Sequence, residues 1–288
     1  MLKRLRLYVL IALAAMILLV AVFGPLLAPD DPFRIDLRNT VRPPGSGHWL
    51  GTDTLGRDLF SRLLYGARNS FALTLAMVLI VTIVGAAIGL AAGYIGGFAD
   101  ALAMQAADIL LAFPTMVFAI AVAGIMGPSI YHTIIALGAV SWAKYARLTS
   151  GLVKDIRRSN YLIQARFGGA RLPRIVIKYI LPNALPHIVI MTTLDIGEMM
   201  ITISTLSFLG LVTPPPAPEW GNMIAASRNG MLLYPHMLIY TSMVLIITVV
   251  VFNLLGDSLR DFLDPKLSHA HAPRKRSRRN TAKGTGTT

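Results

Sequence analysis

Two carboxylates, Asp195 and Glu198, stand inside an otherwise apolar stretch that reads Thr192-Thr193-Leu194-Asp195-Ile196-Gly197-Glu198-Met199-Met200. Residues three apart share a helical face, so the two acids point the same way. His187 and Met191 precede Asp195 at four-residue steps and extend that stripe. A column of imidazole, thioether and carboxylate groups would suit the passage of a cation or a metal complex, provided that it binds loosely enough to let go. Met191, Asp195 and Glu198 are therefore candidate translocation-path residues. The plain structural account is interhelical hydrogen bonding. A third account joins Asp195 and Glu198 to Asp108 as a proton relay in a secondary transporter, although such proteins often carry inverted repeats and none is found here. A resident metal site is not expected, because a hard-cation cage needs more oxygens than this chain supplies.

Other chemistry is thin. Cys is absent from the sequence, which removes thiolate metal sites and cysteine nucleophiles together. No GxxxxGK[ST] phosphate loop, GxSxG elbow or HExxH pair occurs. The expectation is a non-enzyme with no catalytic residue and no directly bound cofactor.

The elements that hold these residues are set by composition. Only 14% of the 288 residues are charged and 55% are hydrophobic, against about 25% charged in an ordinary soluble domain. Mean hydropathy is +0.62. The net charge of +13 then reads as basic loops on one side of a membrane rather than as a nucleic-acid surface. Six stretches are long and apolar enough to cross, at about residues 7–27, 71–93, 102–124, 131–146, 187–211 and 237–255. Each must be helical, since backbone amides find no other partner in hydrocarbon. The fold class is an all-α membrane protein with about six transmembrane helices. The first stretch exceeds a signal h-region, so it is read as an uncleaved span.

Gly85, Gly89 and Gly93 give small-xxx-small spacing for close helix packing. Asp108 and Pro114 fall in the third stretch, with Asp108 near enough to its end to pair there. Trp220 reads as an interfacial aromatic, and Pro214-Pro215-Pro216 must end the fifth span. Basic residues Lys3, Arg4, Arg6, those from Lys144 to Lys178 and those from Arg260 to Lys283 outnumber those on the other side, which predicts cytoplasmic N- and C-termini. Lys144 is read as marking a cytoplasmic exit. The arginines within residues 29–70 oppose this orientation, although five Asp residues nearly neutralise them; the segment reads as internal Asp–Arg pairing with a short helix.

Residues 161–183, YLIQARFGGARLPRIVIKYILPN, form a basic insert with no carboxylate. A helix through 161–167, a turn at Gly168-Gly169 and a second helix from Pro173 to about Tyr179, closed by Pro182, give a helix-turn-helix knob. This string resembles the cytoplasmic coupling loop of permease subunits in binding-protein-dependent ABC importers. Gln164-Ala165, Gly169 and Ile180-Leu181-Pro182 carry the likeness, while Ile163 stands where the family has an acidic residue. HWLGTDTLGRDLFSRLLYGARNSF from His48, LSFLGLVTPPPAPEWGNMI from Leu206 and FNLLGDSLRD from Phe252 resemble the dipeptide, oligopeptide and nickel branch.

The resemblance implies a multi-pass inner- or plasma-membrane subunit, with residues 29–70 placed outside as a folded cap. It pairs with a homologous second permease, two ATPase subunits that use ATP and Mg, and an extracytoplasmic substrate-binding protein, with membrane lipid around it and no nucleic acid. Gln164, Ala165, Arg166, Gly169, Ala170, Leu181 and Pro182 are implied as the ATPase-coupling residues. Thr-Leu-Asp-Ile-Gly-x-Met-Met at residues 193–200 is similar to the nickel-type subunits, which implies nickel or a chelated metal as cargo, with di- or oligopeptides as the alternative. The expected organisation is an N-terminal span (1–28), an external segment (29–70), a five-helix core (71–257) containing the coupling loop (151–186), and a basic tail (258–288).

Overall fold

The structure is a computed structural model, and it describes residues 2–45, 47–212 and 216–263. The described residues form helices joined by loops, the longest loop preceding Leu59, with no strand among them. The long helices are α1 (Leu2–Leu27), α2 (Leu59–Ile95), α5 (Ile130–Arg157), α8 (Leu181–Phe208) and α10 (Pro235–Leu263); α3 (Gly97–Ala112) and α4 (Thr115–Met126) lie between α2 and α5. The short helices are α6 (Asn160–Phe167), α7 (Leu172–Ile175) and α9 (Trp220–Ser227).

Among the described residues, four helices are long and apolar enough to cross a membrane: Lys3–Leu27, Leu59–Ile95, Leu172–Phe208 and Pro235–Leu263. The predicted third span is not straight. It breaks into α3 and α4, bent by 82°, because Pro114 cannot donate an amide and pushes Phe113 out of the helical region, to φ −84° and ψ 133°. Counted as one span, the pair makes five. Helix α5 is 28 residues long, but Lys144, Arg147, Lys154, Asp155 and Arg157 dilute its apolar character.

The short helix expected before residue 71 is instead the first part of α2, which runs 37 residues without interruption. Asp58 caps it by accepting from the Ser61 amide at 2.7 Å. The chain from 30 to 58 folds onto that cap. Asp53 pairs with Arg57 at 2.7 Å and with Arg62 at 3.4 Å, Arg62 donates to the Pro32 carbonyl at 3.0 Å, and the His48 ring lies 2.9 Å from Asp58 Oδ1. The Asp–Arg alternation is internal pairing, as expected.

Helices α2 and α5 form the most extensive interface, and its glycine register explains why. A Cβ added at Gly85, Gly89 or Gly93 would lie 2.4, 2.3 or 2.8 Å from the carbonyl oxygens of Trp142, Ala146 or Ser150. One turn of α2 meets one turn of α5 at each step, so any side chain there would force the helices apart.

The chain order gives the bundle two ends. Helices α2, α5 and α10 start at the end that holds His48 and run to the end that holds Gly169, while α1 and α8 run the other way. The described chain therefore begins and finishes at the Gly169 end. At the His48 end, Trp220 is 1% exposed and does not sit as an interfacial aromatic. Its indole donates to the Leu63 carbonyl at 3.2 Å and its ring meets Phe71 edge-on. Glu219 beside it is also buried; it caps α9 through the Asn222 amide at 3.0 Å and accepts from the Ser70 hydroxyl at 3.1 Å. Glu219 thus fastens α9 to α2 as well as closing its own helix. Thr213, Pro214 and Pro215 lie outside the described residues, as does the tail from 264 onward.

Candidate functional site

Midway along α8, Asp195 is buried and Glu198 is exposed, with 72% of its side-chain surface free. Both face α5. The Lys144 ammonium donates to Asp195 Oδ1 at 2.6 Å and to Glu198 Oε2 at 3.4 Å. The Tyr145 hydroxyl donates to the other Asp195 oxygen at 2.7 Å. Consecutive residues of α5 therefore clasp one carboxylate from two sides. Lys144 lies inside α5, which runs on to Arg157, and turns toward α8. A signal for this lies in the lysine's place within an apolar stretch, where an ammonium needs a counter-charge, but no local pattern points to the partner.

A cavity of about 400 Å³ opens beside this cluster. Ser141 and Lys144 of α5, Glu198 and Thr202 of α8, and Pro114 and Met116 at the break between α3 and α4 line it. The bend at Pro114 thus makes one wall of the chamber. Asp195 is not part of its lining; it is buried behind Lys144 and Tyr145. His187 and Met191 line a different cavity of about 290 Å³, with Pro186, Leu148 and Arg260. The predicted column is therefore divided. The residues do share a stripe of α8, but α5 covers its middle, leaving Glu198 and Met191 on separate hollows.

Asp108 does not join them. It pairs with Arg147 of α5, while Asp100 takes Lys154 at 2.5 Å and Ser150 at 2.7 Å. These two ion pairs fasten α3 along the Gly169 half of α5. The three carboxylates of the relay account are not assembled into one chain.

The predicted knob is present with one correction. Helix α6 ends at Phe167, and Gly169 turns the chain in the left-handed region at φ +75°, where glycine carries no Cβ penalty. Pro173 sits in the first turn of α7. The second arm does not stop at Pro182. It passes through a π-helical segment, Val176–Ile180, directly into α8, where Pro182 occupies the first turn and Pro186 lies inside. In the wider π turn the Leu181 amide donates to the Val176 carbonyl, and the helix continues although Pro182 has no amide to donate.

Leu162, Ile175 and Ile180 pack against Val153 and Ile156 of α5 and anchor the knob, and the Tyr161 and Tyr179 rings stack across it at 6.4 Å. Its outer surface carries Phe167, 89% exposed, with Ile163, Gln164, Gly169, Leu181 and Pro182 also exposed. Ala165 and Ala170 are half-buried, and the side chain of Arg166 lies outside the described structure. An anchored base and an outer face that mixes exposed apolar residues with Arg171, Arg174 and Lys178 suit docking against another protein.

A bundle of membrane-length helices with a chamber at the break between α3 and α4, and a knob anchored on α5, fits the class of transport permeases. Comparison with known proteins makes the family specific. Residues 85–269 match the family described as the binding-protein-dependent transport system inner membrane component. The glutathione transport system permease protein GsiD of Pectobacterium atrosepticum is 42% identical over 78% of this chain and 74% of its own length. The nickel transport system permease protein NikC of Escherichia coli is 37% identical over 90% of this chain and 93% of its own. A solved amino acid ABC transporter covers 70% of this chain and 94% of its own, with a TM-score of 0.54 at 16% identity, a likeness of fold. This chain belongs to the binding-protein-dependent ABC importer permeases of the dipeptide, oligopeptide and nickel type. It is a non-catalytic, multi-pass membrane component of a transport system that works with ATPase and substrate-binding partners.

Proposed function

We propose that this chain pairs with a homologous second permease to form the translocation path for nickel or a chelated metal delivered by an external binding protein. Two ATPase subunits receive the knob, through Gln164, Ala165, Arg166, Gly169, Ala170, Leu181 and Pro182. The observation that carries the coupling role is the way in which Leu162, Ile175 and Ile180 root the knob in α5 while its second arm continues into α8. A push on the knob is then a push on the two helices that carry Lys144, Asp195 and Glu198. The basic residues at the Gly169 end favour its lying in the cytoplasm with both termini.

Glu198 is the path residue best supported, because it is the carboxylate that lines the 400 Å³ chamber. Met191 lines the neighbouring hollow, and Asp195 holds Lys144 in place. Nickel is favoured by the Thr193–Met200 string and by the resemblance over nearly the full length of the nickel permease. A peptide cargo is the second reading. It is supported by the similarity to a glutathione permease and by a chamber that presents one ammonium beside one carboxylate, a match for a zwitterion.

Cellular nickel accumulation with and without this chain, its partners left in place and excess dipeptide or glutathione offered as competitor, separates the two. Loss of nickel uptake on deletion, with no peptide competition, supports the metal; intact nickel uptake with impaired peptide uptake moves the cargo to peptides.

A further inference from the structure

One ammonium serves two carboxylates at the heart of α8, and it serves them unequally. Lys144 is 2.6 Å from Asp195 and 3.4 Å from Glu198. Asp195 is enclosed and has a second donor in Tyr145, whereas the Glu198 carboxylate meets Lys144 at the longer distance and stands open to the chamber. The cluster holds two acids and one base. It is short of one positive charge, and the shortfall lies on the side of the cavity.

We propose that Lys144 is a tethered counter-cation: it occupies Glu198 while the chamber is empty and yields that carboxylate to a positively charged group of the cargo, keeping its bond to Asp195. The inference rests on the reading of Glu198 as a path residue and adds a second residue that sets specificity and affinity. A flexible ammonium on a four-carbon stem can shift by an ångström or so without losing its closer partner. Because the cargo must compete with a charge already present, it binds more weakly than it would to bare carboxylates. Loose binding is what a conducting site requires. Asp195 and Tyr145 then have a defined task. They hold the lysine by its buried side, so that it is displaced but does not leave.

This account predicts a gain on deletion, which a merely structural lysine would not give. Importer complexes carrying wild-type chain, Lys144→Gln, Lys144→Arg, Glu198→Gln or the double variant Lys144→Gln/Glu198→Gln would be purified in nanodiscs without ATP. Each would be titrated with Ni²⁺ alone and the bound metal counted after rapid desalting. Lys144→Gln is expected to bind Ni²⁺ roughly tenfold tighter than wild type, since a like charge has been taken from beside the site. Lys144→Arg is expected to stay near wild type, and the double variant to lose the gain.

Intact complexes of Lys144→Gln with unchanged or weaker Ni²⁺ binding would overturn the proposal, as would a gain that persists in the double variant. If Lys144→Gln does not assemble, the Lys144→Arg and Glu198→Gln complexes decide: Glu198→Gln binding Ni²⁺ as well as wild type overturns it. Binding is read without turnover, so a failed counter-cation is distinguished from a failed path. Wild-type transport that is indifferent to Glu198→Gln would remove the path reading alone.

Discussion

Tyr145 and Asp195 meet across the packed faces of α5 and α8, hydroxyl to carboxylate at 2.7 Å, with Lys144 closing the other oxygen at 2.6 Å. Removing only the acid leaves a half-buried ammonium whose remaining contact is the longer one to Glu198. Asp195→Leu is expected to cost about 3–5 kcal/mol, while Lys144→Met/Asp195→Leu together cost less than Asp195→Leu alone. Thermal unfolding of the purified complexes, compared as a double-mutant cycle, measures this. Equal or greater loss in the double variant would show that the pair is not the reason for the stability.

The glycine seam gives a prediction of a different kind. Gly89→Val would drive side-chain carbons into the Ala146 carbonyl, and overpacking of this sort costs roughly 1–3 kcal/mol or prevents assembly. Gly151→Ala on α5 meets nothing within 4 Å and should be silent. Membrane yield and thermal midpoint of the two variants provide the comparison.

That seam was legible in the sequence because a four-residue repeat of glycines is a local pattern with one geometric meaning. The knob was legible for the same reason, since Gly168-Gly169 and Pro173 punctuate a short segment. The clasp on Asp195 was not. Lys144 and Asp195 are 51 residues apart and meet only once α5 and α8 are packed together, so no spacing along either helix shows the pair. Trp220 was misread because its type fits an interface, whereas its burial depends on Gly66 of α2 leaving room for its ring. Pro182 was read as a stop, and the helix continues past it behind the π turn.

Glu219 lies outside the membrane-crossing helices, and burial raises its carboxyl above the ordinary value of 4.5, against the opposing pull of the Gly221 and Asn222 amides. An acid that holds its proton more tightly in the folded state favours folding at low pH, and that contribution is lost as pH rises through the interval between its unfolded and folded values. Glu219→Gln has no such proton to lose. The thermal midpoint of the variant minus that of wild type should therefore increase from pH 4.5 toward neutrality; a flat or falling difference would contradict the assignment.

The knob is tested at its turn. Gly169 sits at φ +75°, and proline fixes φ near −65°. Gly169→Pro should abolish uptake and ATPase stimulation by the loaded binding protein while leaving membrane insertion intact. Normal uptake by that variant would remove the hinge from the coupling account.

The central claim is that cargo crosses through this chain by the work of ATPase partners that hold the knob. The most direct measurement is accumulation of radioactive nickel in proteoliposomes containing the complete importer and its binding protein, with ATP or a non-hydrolysable analogue, beside liposomes containing this chain alone under a proton gradient. Uptake that requires the full assembly and hydrolysable ATP, and falls in Glu198→Gln, is the predicted result. Accumulation by this chain alone, driven by the gradient and indifferent to ATP, would contradict it.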